Sequence, residues 1–239
     1  MILLKDVMKI FKQKNKIIYA CNDINLEIKS NQIFGFIGPN GAGKTTALRL
    51  ISTLMAPTKG RIEVNGLDTV KEKDAIRAQI GFLSSDMTLP PNYTPRELFL
   101  FFGKLNNLKN EVLSKRISEI TEQLNLSQYV DVLTQKLSTG NKQKTLIAIS
   151  IIHNPKIVIF DEPTNALDLS AAQSVLKIIK QMRDNGKTII LSTHNLSVAE
   201  KICDNVAFIN KGKIVEMSDV QNLKKKYDKS LEDIYLDII

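Results

Sequence analysis

A glycine-rich segment with the pattern G-x-x-x-x-G-K-T constrains the fold of this chain more than any other feature. The segment consists of Gly38, Pro39, Asn40, Gly41, Ala42, Gly43, Lys44 and Thr45, and Thr46 follows it. Glycines let the backbone curl until successive N–H groups point at phosphate oxygens. The lysine adds a cation for the β- and γ-phosphates, and the threonine hydroxyl can bind Mg²⁺. The segment therefore predicts a site for a nucleotide's phosphates.

The residues on either side of this loop fit the same interpretation. Residues 33–37 form a short apolar run that is typical of a buried strand. Residues 45–55 contain no helix breaker and carry leucine and isoleucine at helical spacing. We expect a strand, a loop and a helix whose N-terminus faces the phosphates.

A second apolar run, residues 157–160, ends in the adjacent carboxylates Asp161 and Glu162. Side chains alternate along a strand, so the two carboxylates are expected to point in different directions. One can hold a Mg²⁺ ion while the other orients a water molecule. A pair of surface acids would poorly explain why the acids follow four consecutive apolar residues.

The segment of residues 137–144 places Ser138 and Gly140 at the start of an apolar helix. Such residues at a helix N-terminus can bind an anion, although taken alone they are more typical of a simple N-cap. Phe11, flanked by lysines, can be a platform for a base or an ordinary packing residue, and spacing alone favours packing. His153 lies in a predicted loop and is expected at the surface.

The remaining patterns predict an α/β fold with a core of mostly parallel sheet around the phosphate loop, an N-terminal antiparallel β-subdomain and an inserted α-helical subdomain. The pattern of residues 2–30 predicts antiparallel strands, and the inserted helices begin with a capping box at Thr94. We interpret residues 1–239 as one domain. Its expected parts are a core with the β-subdomain (1–85 and 155–218), the helical insertion (86–154) and a helical tail (219–239).

Composition limits the location and partners of the chain. No stretch approaches the roughly 18 apolar residues that a membrane span needs, and the N-terminus lacks the apolar core of a signal peptide. Cys21 and Cys203 have neither metal-site nor disulfide spacing, so we expect reduced thiols in the cytoplasm. A net charge of +8 permits a nucleic-acid or anionic-membrane neighbour, but a solvated lysine-rich surface is the better explanation.

Taken together, these motifs resemble those of the ATP-binding subunits of ABC transporters, along essentially the whole chain. Residues 38–45 match the Walker A loop, residues 137–140 the signature, and residues 157–162 the Walker B strand with its catalytic glutamate. Residues 166–168 match the D-loop, and His194 matches the switch histidine. Three segments resemble those of one branch of the family, the sodium-extruding and drug- or lipid-exporting systems. They are the signature, residues 80–84 and residues 231–235.

The resemblance implies a role for each motif. ATP would be bound by residues 38–46 and by Phe11, which falls where the family keeps its adenine-stacking aromatic residue. Mg²⁺ would be bound by Thr45 and Asp161, and catalysis would depend on Lys44, Glu162 and His194. A second copy, identical or related, would bind its ATP against Ser138, Gly140, Asn141 and Asp168 of this chain.

Two departures from the family pattern concern residues near the phosphates. The family usually has a glutamine that touches Mg²⁺ after the strand ending at Leu83, where this chain has Ser84, Ser85 and Asp86. Ser85 is the residue expected at the position of that glutamine, but its side chain is too short to replace the amide. We therefore expect a water molecule or the Asp86 carboxylate, rather than Ser85 itself, to fill the gap beside Mg²⁺. In the signature, Thr139 and Asn141 stand in place of the usual glycine and glutamine.

The resemblance further implies separate integral membrane permease subunits and a peripheral position on the cytoplasmic face of the cell membrane. The alternative is a soluble ATPase of the same family that acts on ribosomes or nucleic acid. Translation-factor relatives carry two cassettes, and chromosome-structure relatives separate Walker A from the signature by a long coiled coil. This chain has one cassette and no sustained heptads between these motifs, so no stable nucleic-acid binding is expected.

Overall fold

A four-stranded antiparallel sheet covers one side of the structure, a computed structural model that describes residues 1–13 and 16–238. Its strand order is β2-β1-β4-β5. The strands are β1 (Ile2–Gln13), β2 (Lys16–Ile28), β4 (Lys59–Val64) and β5 (Leu67–Asp68). In β2 the buried positions alternate with exposed ones from Ile24 to Ile28, as expected of a strand with one buried face.

A six-stranded sheet with the order β10-β9-β3-β8-β7-β6 forms the centre. Its strands are β3 (Ile33–Ile37), β6 (Ile80–Leu83), β7 (Ile157–Asp161), β8 (Thr188–Thr193), β9 (Asn205–Asn210) and β10 (Lys213–Asp219). Strands β6, β7, β8, β3 and β9 are parallel, and β10 pairs antiparallel with β9. The carboxyl ends of β3, β7 and β8 therefore meet at one edge, which brings their following loops together.

Helices pack around this sheet in the part of the chain that the structure describes. They are α1 (Lys44–Ile51), α2 (Lys73–Arg77), α3 (Pro95–Leu105), α4 (Asn110–Gln123), α5 (Thr139–Ile151), α6 (Leu169–Asp184), α7 (Leu196–Ile202), α8 (Val220–Tyr227) and α9 (Leu231–Ile238). Two single 3₁₀ turns, Ser127–Tyr129 and Thr134–Lys136, connect α4 to α5. The predicted capping box is confirmed, because the Thr94 hydroxyl accepts from the backbone N–H of Glu97 and the Glu97 side chain accepts from that of Thr94.

The central sheet separates two apolar cores. In β3, Ile33 and Ile37 pack into the core that contains the helices from α3 onward, whereas Phe34 and Phe36 face α1 and the antiparallel sheet. All five residues of β3 and all five of β7 are buried, which explains why the sequence of both strands is almost continuously apolar.

Several local predictions differ from the structure. The first helix ends at Ile51 rather than Met55, since Thr53 has a φ of 64° and its backbone carbonyl and hydroxyl accept hydrogen bonds from Arg77. Helix α7 is absent from the sequence prediction. His153 is half-buried rather than on the surface, because its Nε2 hydrogen-bonds the Ile80 carbonyl at 3.1 Å.

The two cysteines are free and buried, and burial raises the pKa of the Cys21 thiol to about 12. No helix within residues 1–13 and 16–238 is long and apolar enough to cross a lipid bilayer. The predicted division into core, insertion and tail stays a prediction, and residue 239 of the tail lies outside the described residues.

Candidate functional site

The glycine-rich loop joins the carboxyl end of β3 to the first turn of α1, as its sequence predicts. Two of its glycines are required by close backbone approaches. A Cβ on Gly38 would lie 2.2 Å from the Ile209 carbonyl oxygen. Gly43 has a φ of 112°, and a Cβ there would lie 2.2 Å from the Ala20 carbonyl oxygen. The loop is therefore held against β9 and β2, with its curvature fixed by contacts on two sides.

Lys44 is buried at the centre of this loop, with a side chain that is only 5% exposed. Its ammonium donates to the Gly38 carbonyl at 2.7 Å and lies 3.4 Å from Glu162 Oε1. A buried ammonium needs acceptors and negative charge around it, and this one has both. The lysine can therefore pair with an anionic ligand, and its charge in the interior is already compensated by Glu162.

Oxygen atoms from four side chains converge beside the loop. The Thr45 hydroxyl donates to Asp161 at 2.8 Å, the Ser85 hydroxyl donates to the same carboxylate at 3.1 Å, and Ser192 donates to it at 2.5 Å. Asp161 is almost fully buried at the end of β7. Hydroxyl and carboxylate oxygens are the ligands that Mg²⁺ prefers, so the residues present fit a magnesium site.

Glu162 leaves β7 in a left-handed conformation, with a φ of 52°. Its backbone N–H donates to Ser192 Oγ at 3.0 Å, which fixes the turn, and its carboxylate lies 3.0 Å from His194 Nδ1. A non-glycine residue with positive φ carries backbone strain and is enriched at functional sites. The turn directs Glu162 toward Lys44 and His194 while Asp161 faces Thr45, so the two carboxylates point in different directions, as the sequence predicts.

A cleft of about 470 Å³ opens over these groups. It is lined by Ile18, Tyr19, Ala20, Asn40, Gly41, Ala42, Gly43, Lys44, Thr45, Thr46, Ser85, Glu162, Asn165 and His194. One wall is the end of the antiparallel hairpin, and the floor is the glycine-rich loop. Its size and its cationic and carboxylate groups suit a nucleoside polyphosphate with a divalent ion.

Phe11 lies at the edge of this cleft rather than among the residues that line it. It stands directly opposite Ile18, a cleft residue, in the β1–β2 ladder, so their side chains share one face of the hairpin. The ammonium of Lys9 lies 5.4 Å from the centre of its ring. Tyr19, which the sequence analysis did not select, lines the cleft directly and is 47% exposed.

Ser138, Gly140, Asn141 and Asp168 lie outside the cleft. Ser138 caps α5 by accepting from the Asn141 backbone N–H, and Asp168 caps α6 by accepting from that of Ala171. A Cβ on Gly140 would lie 2.9 Å from Ala171 Cβ, so the two helix starts are packed together. Ser138 and Asp168 are exposed.

The two candidate metal neighbours after β6 are in different surroundings. Ser85 lines the cleft and bonds Asp161. Asp86 points away from the cleft, because Arg49 Nη2 pairs with its carboxylate at 3.3 Å and the Ser84 hydroxyl donates to it. These partners hold the pKa of the Asp86 carboxyl below its usual range, with the Ser84 hydrogen bond as the largest cause. This geometry differs from the expectation, since Ser85 and not Asp86 lies beside the residues that fit a magnesium site.

Ser192 is the clearest residue that sequence reasoning missed. Its hydroxyl connects the backbone of Glu162 to the carboxylate of Asp161. A serine at the end of a buried strand gives no signal by itself. The parallel pairing of β7 and β8, which aligns Asp161 with Ser192, is what assigns it a role.

An apolar groove lies beside the segment between β6 and α3. It has a volume of about 290 Å³ and is lined mainly by Met87, Leu89, Tyr93, Phe101, Phe102 and Leu146. Phe101 is 61% exposed, although it makes an edge-to-face contact with Phe102. An exposed apolar surface of this kind on a helix is typical of a protein-binding site.

Comparison with known proteins gives consistent matches. A protein-family model described as ABC transporter matches residues 21–165. The ABC transporter ATP-binding protein NatA of Bacillus subtilis is 34% identical over 224 residues, which cover 93% of this chain and 91% of that protein. The methionine import ATP-binding protein MetN of Geobacillus kaustophilus is 37% identical over 225 residues, covering 92% of this chain and 66% of that longer protein.

Solved structures agree in fold. The ATP-binding cassette MJ0796, in a dimeric post-hydrolysis state bound to ADP and Pi, matches with a TM-score of 0.83 and 29% identity, covering 92% of this chain and 98% of that one. An ATP-binding subunit of an ABC transporter matches with a TM-score of 0.87 over all of this chain and 99% of that one. At 24% identity this second likeness supports the fold alone.

Proposed function

The chain belongs to the ABC transporter family, and on that premise we propose that it is the ATP-binding and ATP-hydrolysing subunit of a transporter whose membrane-spanning part is a separate protein. One observation carries the proposal. Lys44, Thr45, Asp161, Glu162 and His194, which come from three strand ends, converge on a single cleft. This arrangement supports phosphoryl transfer to water.

The glycine-rich loop would bind the phosphates through its backbone N–H groups, and Lys44 would pair with the β- and γ-phosphates. Thr45 and Asp161 would hold Mg²⁺, with Ser85 and Ser192 orienting the aspartate. When bound, the ion neutralises charge on the phosphates. The role of the protein is to position these groups before the reaction, because phosphoryl transfer is catalysed mainly by positioning and charge stabilisation.

Glu162 is the candidate general base that orients the attacking water. Its carboxylate is held by Lys44 on one side and His194 on the other. His194 is half-exposed at the mouth of the cleft, where it can reach both Glu162 and a terminal phosphate. The proposal is tested by steady-state release of phosphate from ATP with Mg²⁺, for which Lys44→Ala and Glu162→Gln should both be inactive.

A second copy, identical or related, would complete the site. Ser138, Gly140, Asn141 and Asp168 lie outside this chain's own cleft, and Ser138 and Asp168 are exposed, so their hydroxyl and helix-start groups are available to another molecule's nucleotide. The dimeric relative MJ0796 is consistent with such an assembly.

The apolar groove around Phe101 and Met87 is the proposed docking surface for a cytoplasmic helix of the permease. It adjoins Ser85, which contacts Asp161, so the segment from Ser85 to Met87 runs from the cleft to the groove. A photo-crosslinker at Phe101, with one at exposed Val112 as the matched control, should capture an integral membrane protein in native membranes. Capture of ribosomal proteins or nucleic acid from Phe101 instead would support the soluble alternative.

We further propose that transport is directed outward and that the subunit is peripheral on the cytoplasmic face of the membrane. The amino-acid sequences of the signature and of residues 231–235 support export. A relative named for methionine import is 37% identical, and transport in vesicles distinguishes the two directions. ATP-driven accumulation of substrate inside inverted vesicles, where the cytoplasmic face is outside, would support export, and depletion would support import.

A further inference from the structure

A polar pocket of about 350 Å³ lies at the amino ends of β7 and β8, on the opposite edge of the central sheet from the ATP cleft. Its polar lining comes from Arg116, Gln123, Asn154, Lys156, Asn185 and Lys187. No aspartate or glutamate is among the described residues that line it. The pocket therefore gathers three cationic side chains and three amides, and the one carboxylate that pairs with any of these cations among the described residues, Glu119, lies outside its lining.

Lys187 is one of the two partly buried cations in this charge cluster. Its ammonium donates to the Asn154 side-chain oxygen at 2.8 Å and to the Pro155 carbonyl at 2.6 Å. No carboxylate in residues 1–13 and 16–238 pairs with it. Burial, followed by the nearby charge of Arg116, lowers the pKa of Lys187 to about 8. The lysine is thus held in place by neutral acceptors, while its charge remains uncompensated.

Arg116 of α4 faces the same pocket and has unused hydrogen-bond donors. Its Nη1 lies 3.4 Å from Glu119 and its Nη2 donates to the Ile151 carbonyl at 3.3 Å, both long contacts. Its buried Nε has no hydrogen-bond partner among the described residues. A guanidinium carries five donors in a planar fork, so most of its capacity is free. Two poorly compensated cations converging on one pocket are expected to attract an anion.

We propose that this pocket binds a dianionic phosphate group, as the free ion or as part of a small phosphorylated molecule. Arg116 and Lys187 would bind its oxygens directly, Lys156 would add a third cation from the rim, and Asn185 and Gln123 would donate amide hydrogens. A tetrahedral dianion suits three cations better than a single carboxylate does. The volume of the pocket suits a small molecule around the phosphate.

Binding there would couple two parts of the molecule. Arg116 belongs to α4 of the helical segment, whereas Lys187 and Asn154 lie at the strand starts of the central sheet. The five residues of β7, at about 3.3 Å per residue, separate this pocket from Asp161 by roughly 15 Å. A bound phosphate would therefore tie α4 to the strands that carry the catalytic carboxylates, without touching the ATP.

The test is a ¹H–¹⁵N NMR titration of the full chain with sodium sulfate against sodium chloride at equal ionic strength. ADP and Mg²⁺ are kept saturating so that the glycine-rich loop is filled. We expect sulfate to shift the backbone amides of Gly186 and Lys187 and the side-chain amides of Asn154 and Asn185. Parallel titrations with inorganic phosphate and glycerol 3-phosphate distinguish the free ion from a monoester by their relative affinities.

Matched variants locate the effect. Lys187→Met should weaken sulfate binding at least about tenfold, the scale of one lost charge-assisted hydrogen bond. Lys180→Met, at an exposed position of α6, changes the net charge equally and should have no effect. Asn185→Asp places a negative charge in the wall and should also weaken binding. Asn185→Asp provides a second test in case Lys187→Met does not fold.

Three results would contradict the proposal. Sulfate and chloride could give the same small shifts, or Lys187→Met, Asn185→Asp and Lys180→Met could bind sulfate equally. Shifts confined to residues 38–46 would also count against the pocket. Such shifts would also show that ADP had not filled the cleft, which would contradict the proposed nucleotide site. The amides of Gly186 and Lys187 report on the polar pocket independently of that result.

Discussion

The ammonium of Lys44 lies 3.4 Å from the carboxylate of Glu162, and the two residues connect the phosphate loop to the end of β7. Glu162 reaches this position because its positive φ turns it out of the strand, while Ser192 holds its backbone. The proposed cation for the phosphates and the proposed base for water are therefore in contact, so a change at one is expected to alter the other.

Glu162→Gln should lower kcat for ATP hydrolysis by at least about 10²-fold, since the amide keeps the shape of the side chain but cannot act as a base. Binding of ATP should persist, so the variant should accumulate a dimer with ATP and Mg²⁺. Phosphate release and sedimentation velocity measure the two effects. Glu111→Gln, an exposed change of the same kind on α4, should leave both unchanged. A monomer at every ATP concentration would contradict the two-copy site.

Ser138→Asp tests the site on the second copy without removing a helix cap. Aspartate is as good an N-cap as serine, so α5 should keep its start and its stability. The added negative charge would face the partner's nucleotide, so dimer formation by Glu162→Gln should be lost in the double variant. Thr94→Asp, which also places an aspartate at an N-cap, that of α3, should not affect the dimer. Unchanged sedimentation of the double variant would contradict the role of Ser138.

Much of this architecture could be predicted from local patterns. The apolar runs of β3 and β7, the capping box at Thr94 and the loop at residues 38–45 each fixed an element whose limits the structure reproduces closely. These signals are local because burial on both faces, cap chemistry and glycine geometry act within a few residues. Helix α7 was not predicted, since seven residues are too few to establish a helical period.

The site was less predictable where it depends on pairing between strands. Ser192 and Tyr19 acquire their positions from the alignment of β8 with β7 and from the hairpin, neither of which leaves a mark in the local sequence. The sequence favoured Asp86 over Ser85 as the side chain nearest the metal, and the pairing of Asp86 with Arg49 became evident only in three dimensions. Sequence thus identified the chemical groups, and topology determined which of them meet.

Phe11→Ala should weaken ATP binding by about fivefold or more, the lower end of the effect of losing one stacked base. The prediction rests on the shared face of Phe11 and Ile18 at the cleft edge. Phe11→Tyr should bind normally because it keeps the ring. Dissociation constants for a fluorescent ATP analogue measure the effect. Tyr19→Ala is the comparison, and if it weakens binding while Phe11→Ala does not, Tyr19 is the base platform.

Sulfate affinity at the polar pocket beside Lys187 should fall about tenfold as the pH rises from about 7 to about 9. Burial lowers the pKa of Lys187 to about 8, so it loses its charge in this range, whereas sulfate stays a dianion. Arg116 and Lys156 also face the pocket, and burial lowers the pKa of His153, so this imidazole does not gain charge as the pH rises. The same NMR titration measures the effect, and Lys187→Met should show a flat profile. A flat profile in the unaltered protein would contradict the role of Lys187.

Ser85→Ala should reduce kcat by less than about tenfold, on the order of 1.4 kcal/mol. The serine is one of three hydroxyl donors to Asp161, so Thr45 and Ser192 still hold the carboxylate, and water can complete the shell of Mg²⁺. Asp86→Ala should be close to the unaltered protein, because that carboxylate pairs with Arg49 away from the cleft. Phosphate release at saturating ATP and Mg²⁺ compares both with Glu162→Gln.

If Ser85→Ala were as inactive as Glu162→Gln, the serine would be a direct ligand or catalytic group. A large loss in Asp86→Ala would instead mean that the side chain turns into the cleft when nucleotide binds.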